Sequence, residues 1–288
     1  MRCSLADRYV HYVPSSQLVA GQESARQFVR VRAASGAVDV VSWLSGEVVR
    51  QLPDRPATVL FGIEGFTIMR AHEASDGWTI AGREVWFHTD SGRDEILDHW
   101  TDPVNGRVVE VSPVWATSSV MRLSDHKRQD RSSPIGPDAA TVASDASSGP
   151  SAVTRFTVER LGDTITYCVN SAGLAPAFGS ESVRYTARLH DLSSNSSSVA
   201  CRISVARVSG LPAALSGEAD GPQSRPGGYL LYHLDGRKLA GGYGELPARL
   251  RERVEADRPE FAFAPTESAG SSGERRGRTR KSWLSSRS

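Results

Sequence analysis

Four side chains have the type and setting that proton transfer asks for: Glu64, Asp98, His88 and Tyr232. Glu64 interrupts the apolar run Leu60-Phe61-Gly62-Ile63-Glu64-Gly65-Phe66. A carboxyl group there stands either on the wet face of its strand or out of water with a raised pKa, as a general acid or base requires. His88 ends the run Arg83-Glu84-Val85-Trp86-Phe87-His88. Strand alternation puts Glu84, Trp86 and His88 on one side, where they form either a cavity mouth or a surface aromatic–histidine pair. Asp98 follows Ile96-Leu97 and shares a side with Trp100, with His99 opposite. Asp102, before Pro103, reads as a turn-former, and Trp100 as a core contact whose indole N–H finds a carbonyl. Tyr232 and His233 precede Asp235-Gly236-Arg237-Lys238. The phenol could donate a proton and Arg237 could fix an anionic group, or the segment is a hairpin with a basic tip. The expected substrate contacts are Trp43, Phe61, Trp86, Trp100, Trp115, Tyr185, His233 and Arg237.

Other chemistries find little support. The seven histidines, at 11, 72, 88, 99, 126, 190 and 233, show no HxH or HExxH spacing, and no paired cysteines accompany them, so no metal site is expected. Neither GxGxxG nor GxxxxGK[ST] occurs, and Gly179-Ser180-Glu181 is only an incomplete echo of a GxSxG nucleophile turn. No cofactor is expected.

The elements that must position these groups read mainly as β-strands. Residues 26–50 alternate and are rich in β-branched side chains, and residues 57–71 form a strongly apolar strand pair in which Gly62 and Gly65 suggest a bulge or bend, because glycine relieves twist or lets another backbone approach. Asp90-Ser91-Gly92 and Asp102-Pro103-Val104-Asn105-Gly106 are turn signals that bracket a hairpin. Strand patterns return at 155–160, 164–169, 182–189, 199–208 and 228–233. In the run 199–208, Val199, Cys201, Ile203 and Val205 form the buried face. One helix is expected near 246–256, with Pro247 in its first turn, where a missing N–H costs nothing. Short strands at regular spacing indicate an antiparallel barrel or sandwich. The expected organisation is an N-terminal extension (1–20), a first β half (21–123), a flexible linker (124–152), a second β half (153–266) and a basic tail (267–288).

Composition narrows the function classes. With 39% apolar residues and a formal net charge of +1 over 288 residues, the chain can bury a core but offers no concentrated basic face for nucleic acid. Cys3, Cys168 and Cys201 are odd in number and far apart, which suits reduced thiols in a cytoplasmic protein. No apolar run is long enough to span a membrane, and the start lacks an apolar core of signal-peptide length. From Glu274 to Ser288 six basic residues stand against one acidic residue, so weak binding to anionic lipid is a further possibility for the tail.

Three stretches carry a family resemblance: Trp43 to Gly46 with LFGIEGFTI, then GWTIAGREVWFHTDSGRDEILDHWTDPVNGRVVEV, then RPGGYLLYHLDGRKLAGGYGELPARLRERVEADRPEFAFAP. Through them the chain resembles the bacterial and fungal family known as domain of unknown function 1838, over residues of roughly 20 to 266. The resemblance implies a predominantly β protein, a lipocalin-like barrel or pair of barrels around an apolar cavity, and a place in small-molecule metabolism. Two segments depart from the family pattern, Ser112-Pro113-Val114-Trp115-Ala116-Thr117 and LPAALSGEADGPQS, which suggests an altered pocket. The expected function is a cofactor-independent enzyme of specialised metabolism, a cyclase, isomerase or hydratase. It would hold a hydrophobic small molecule in a reactive geometry while Glu64, Asp98, His88 or Tyr232 moves protons. The alternative is a carrier that needs the same cavity but no positioned ionisable group.

Overall fold

Alternation at period two runs through most of the chain, and long strands result. A computed structural model describes residues 16–19, 22–53, 55–75, 77–92, 95–103, 106–124, 139–144, 153–172, 179–211 and 228–266. The strands are β1 (Ser16–Val19), β2 (Val40–Gln51), β3 (Thr58–Ala74), β4 (Gly77–Thr89), β5 (His99–Thr101), β6 (Val108–Glu110) and β7 (Val114–Ser124). They continue with β8 (Ala139–Ser144), β9 (Val153–Leu161), β10 (Thr164–Ala172), β11 (Ser180–Arg188), β12 (Arg202–Gly210) and β13 (Tyr229–Leu239). The helices are α1 (Gln22–Arg32), α2 (Leu189–Ser193) and α3 (Ala248–Asp257).

The protein is mainly β, as the alternation implies. One large antiparallel sheet runs in the order β7-β4-β3-β2-β13-β12-β11-β10-β9-β8. Its two edges do not pair with each other. Between them stands β1, parallel to β7 and antiparallel to β8, so the ring of pairings is completed only through this four-residue strand. The barrel expectation therefore holds in part. Strands from both expected β halves share this one sheet, joined where β2 pairs with β13 along Tyr229↔Gln51 to Leu239↔Val41. Within the stretch expected to be a linker, residues 139–144 form β8 against β9, while 125–138 and 145–152 lie outside the described residues. The extension before Ser16 and the basic tail after Thr266 lie outside them too.

The start of residues 26–50 corrects a strand expectation. Gln22–Arg32 is helical, and Ala25, Phe28 and Val29 recur at helical spacing on its buried side. The β-branched content of Phe-Val-Arg-Val hid that period, because tertiary packing overrides weak propensity. α1 plugs one end of the curved sheet. Phe28 packs edge-on against Phe156 at 5.0 Å and Tyr185 at 5.8 Å, with Tyr167 tilted alongside at 5.4 Å. Two cations fasten the plug. Arg30 donates to the carbonyls of Leu192, Ser194 and Ser196, each at 2.7 Å, and so collects the open end of α2. Lys238 reaches from β13 to the carbonyls of Arg30 and Ala33, both at 2.7 Å, at the C-terminus of α1. Burial lowers this ammonium group to about 8.

The opposite end is covered by the hairpin β5–β6. Trp100 and Val109 pack with Leu60, Phe61 and Leu230, and the Trp100 indole N–H donates to the Leu60 carbonyl at 2.7 Å. Asp102 does more than form the turn: its carboxylate receives both terminal nitrogens of Arg50 at 3.3 Å, and both side chains are almost wholly buried. On the outside, α3 and the residues after it lie across β2, β3 and β4. Leu246, Leu250, Val254 and Phe261 cover Val41, Phe66, Ile68, Val85 and Phe87. α3 sits where a helix near 246–256 is expected.

Candidate functional site

Between the α1 plug and the hairpin the inner face of the sheet encloses a cavity of about 140 Å³. Strand register arranges its wall in rows, because cross-strand partners share a face. The row nearest the hairpin runs Phe61, Val48, Tyr232, Arg207, Glu181 and Ser171 across β3, β2, β13, β12, β11 and β10. The next runs His88, Ile63, Gly46, Leu234, Val205, Val183 and Val169, starting from β4. A third row holds Trp86, Gly65, Leu44, Gly236, Ile203 and Tyr185. Glu84 and Thr67 face each other one step deeper, and Arg32 reaches the cavity from the end of α1. Gly65 has no side chain for a specific reason: one would run into the Val85 carbonyl and the Trp86 indole. The chain does bulge in β3, but at the β2 step Val48/Val49 and not at the glycines.

His88 is strongly perturbed by its place in the wall. It is 5% exposed, its ring stands edge-on to Phe61 at 4.9 Å, and desolvation holds its pKa down at about 4. The imidazole is therefore neutral at physiological pH. Burial pushes the Tyr185 phenol up, with the carboxylates of Glu84 and Glu181 adding to the rise and Arg32 opposing it. The Arg207 guanidinium lies over the Tyr232 ring at 5.5 Å, and Arg32 over Tyr185 at 5.7 Å. Among the described residues, no three His, Cys, Asp or Glu side chains come together as metal ligands. Nor is any helix among the described residues long and apolar enough to cross a membrane.

A family model for proteins of unknown function, DUF1838, matches residues 37–279. The chain belongs to the DUF1838 family. No curated protein and no solved structure matches it. Within this DUF1838 chain the cavity wall runs through LFGIEGFTI in β3 and GWTIAGREVWFHT in β4, both inside the matched range.

Of the residues expected to act, His88, Tyr232, Phe61, Trp86 and Tyr185 line the cavity together. Glu64 does not. It is buried at 2% exposure on the outer face, where it accepts from the Trp43 indole at 2.8 Å and from Arg249 of α3 at 2.5 Å. Trp43 is thus bound to the outer seam, with Arg237 over its ring at 6.0 Å. Trp115 also lies outside, against Phe87 and Phe261. Asp98 is an exposed partner of Arg253 at 2.9 Å. His233 is exposed on the outer side of β13, and Trp100 seals the hairpin end without being among the cavity's lining residues.

The lining also includes groups outside the expected set: Arg32, Glu84, Glu181, Arg207, Thr67 and Ser171. Arg207 was within reach of the alternation, since it continues the buried series Cys201, Ile203, Val205 by one more step. Glu84 shares a side with Trp86 and His88 for the same reason. Nothing local marks Arg32, which only the plug position of α1 brings to the site.

Proposed function

We propose that this protein is a cofactor-independent enzyme that binds a small molecule with an apolar body inside the sheet and moves a proton on it. Isomerisation, cyclisation or hydration in specialised metabolism all fit that description. The observation that carries the reading is the neutral His88 imidazole in the cavity wall, at about pKa 4 and beside Phe61. A carrier gains nothing from burying ionisable groups in an apolar cavity, since each costs desolvation energy. This cavity has His88, Glu84, Glu181, Tyr185 and Tyr232 on its wall. His88 accepts the proton, and its basicity rises when a negative charge develops on the substrate nearby. The proton is supplied by the Tyr232 phenol or by that of Tyr185, which burial holds in its protonated form. The apolar rows hold the substrate's body and fix the reacting carbon between these groups, which by itself lowers the barrier. Buried free thiols at Cys168 and Cys201 fit a cytoplasmic setting.

The test is to incubate purified protein with a small-molecule extract of the producing organism, and to compare wild type with His88→Gln. The expected result is one compound converted to an isomer, a cyclised form or a hydrate, with the rate reduced by roughly 10² to 10⁴ in His88→Gln. Enrichment of an unchanged compound, equal in both proteins, would overturn the enzyme reading and leave a carrier.

A further inference from the structure

Two polar atoms in the cavity wall have hydrogen-bonding capacity that the protein does not use. The Trp86 indole Nε1 and the Thr67 hydroxyl are shut away from solvent, and neither meets a hydrogen-bond partner among the described residues. Thr67 is 8% exposed, and both residues line the cavity. Buried polar groups are almost always paired, so two orphans in one wall call for a partner from outside the chain. Register makes them neighbours. Gly65 and Thr67 follow each other on the inner face of β3, opposite Trp86 and Glu84 of β4, so Trp86 and Thr67 are diagonal partners. The Trp86 ring leans over β3, against the Gly65 backbone, where a side chain would strike it. Glu84 stands opposite Thr67 without bonding to its hydroxyl, and Leu44, Met69 and Ile203 line the cavity around the pair.

These two groups select a ligand chemistry. An indole N–H can only donate, and a hydroxyl can donate as well. A carbonyl oxygen accepts from both through its two lone pairs and brings no donor of its own that would need pairing.

We propose that the substrate carries a carbonyl group, a ketone or aldehyde on an apolar body, whose oxygen accepts from the Trp86 indole N–H and the Thr67 hydroxyl. This rests on reading the cavity as the substrate site. Trp86 and His88 lie two residues apart on the same face of β4, so a carbonyl held by the indole sets its neighbouring carbons toward the row of His88. At about 140 Å³ the cavity is similar in size to an apolar cavity that takes benzene, so a single ring with a short carbonyl arm suits it.

The test measures binding of acetophenone, cumene and 1-phenylethanol by NMR titration, in the full-length wild type and in Trp86→Phe and Thr67→Val. Cumene has the shape of acetophenone without its oxygen, and each variant removes a donor while keeping an apolar side chain in its place. Acetophenone is expected to bind about five-fold more weakly to each variant, while cumene stays within about two-fold as proof of an intact cavity. The indole N–H resonance that is missing from Trp86→Phe is expected to move with acetophenone and to stay in place with cumene. Equal losses for both ligands would mean that the two side chains only pack, and would overturn the proposal. So would acetophenone affinity that survives either substitution. Tighter binding of 1-phenylethanol than of acetophenone to wild type would also overturn it, by marking a hydroxyl ligand. If none of the three binds wild type, the substrate cavity itself falls and the proposal falls with it. Carbonyl selectivity carried by Trp86 and Thr67 in a protein that converts nothing would leave this proposal standing and remove only the enzyme reading.

Discussion

Glu64 and His88 sit within one residue of each other in register, since Ile63 pairs with His88 and Glu64 with Phe87, yet they face opposite sides of the sheet. Both are almost fully buried. Outside, Glu64 is met by the Trp43 indole and the Arg249 guanidinium, and its charge fastens α3 to the strands. Inside, His88 faces a cavity, and desolvation keeps it neutral. Burial of a titratable group is thus no mark of function by itself. On the outer face the buried charge belongs to the frame. On the inner face the buried base stands where a ligand can reach it.

Removing frame charges should cost stability and spare the cavity. The largest loss is expected for Asp102→Ala, which strands Arg50 beneath the hairpin with 3% of its side chain exposed. Leaving that cation without its carboxylate should cost about 4 kcal/mol, read from the urea midpoint. A loss below about 1 kcal/mol would mean that water reaches Arg50 and the hairpin end is open.

On the inner face the cost depends on pH. His88 has an ordinary value of 6.5 and a folded value of about 4, so between these the unfolded chain takes up the proton and the folded one resists. Stability from this group is fully present above pH 6.5 and is lost as pH falls toward 4, by up to about 3 kcal/mol. Thermal melts from pH 7 to 4 should therefore show a shallower decline in His88→Leu than in wild type. Parallel declines would place His88 in contact with water.

A smaller effect is expected for Glu64→Gln. Arg249 keeps 36% of its side chain exposed and can be rehydrated, so the loss should be about 2 kcal/mol, with the His88 titration unchanged. A shifted His88 titration would connect the outer seam to the cavity and dissolve the contrast between the faces. The smallest change belongs to Asp98→Asn. Asp98 is 62% exposed and Arg253 retains Asp257, so stability should move by no more than about 0.5 kcal/mol.

Alternation made the strands legible, and it paired Glu84, Trp86 and His88 on one face correctly. It could not say which face of a strand with apolar residues on both sides points inward. In β3, Phe66 and Ile68 are buried under α3 while Phe61 and Ile63 line the cavity, so Glu64 among them reads equally well either way. Asp98 shares a side with the buried Trp100 by alternation, but the chain bends at 98 and carries the carboxylate out to Arg253. α1 was concealed because Phe28, Val29 and Val31 satisfy a strand pattern as readily as a helical one. The charged lining groups Arg32, Glu181 and Arg207 come from α1, β11 and β12, and only long-range register assembles them.

The most direct test of the contrast between faces is an NMR titration of the histidine side chains, with and without a soluble paramagnetic agent. His88 on the inner face and His233 on the outer face are reporters within one molecule. The expected result is that His88 titrates near 4 and that a paramagnetic agent dissolved in the solvent broadens the His233 resonances while sparing those of His88. His88 titrating near its ordinary 6.5, or broadened as strongly as His233, would contradict the assignment of the site to the inside of the sheet.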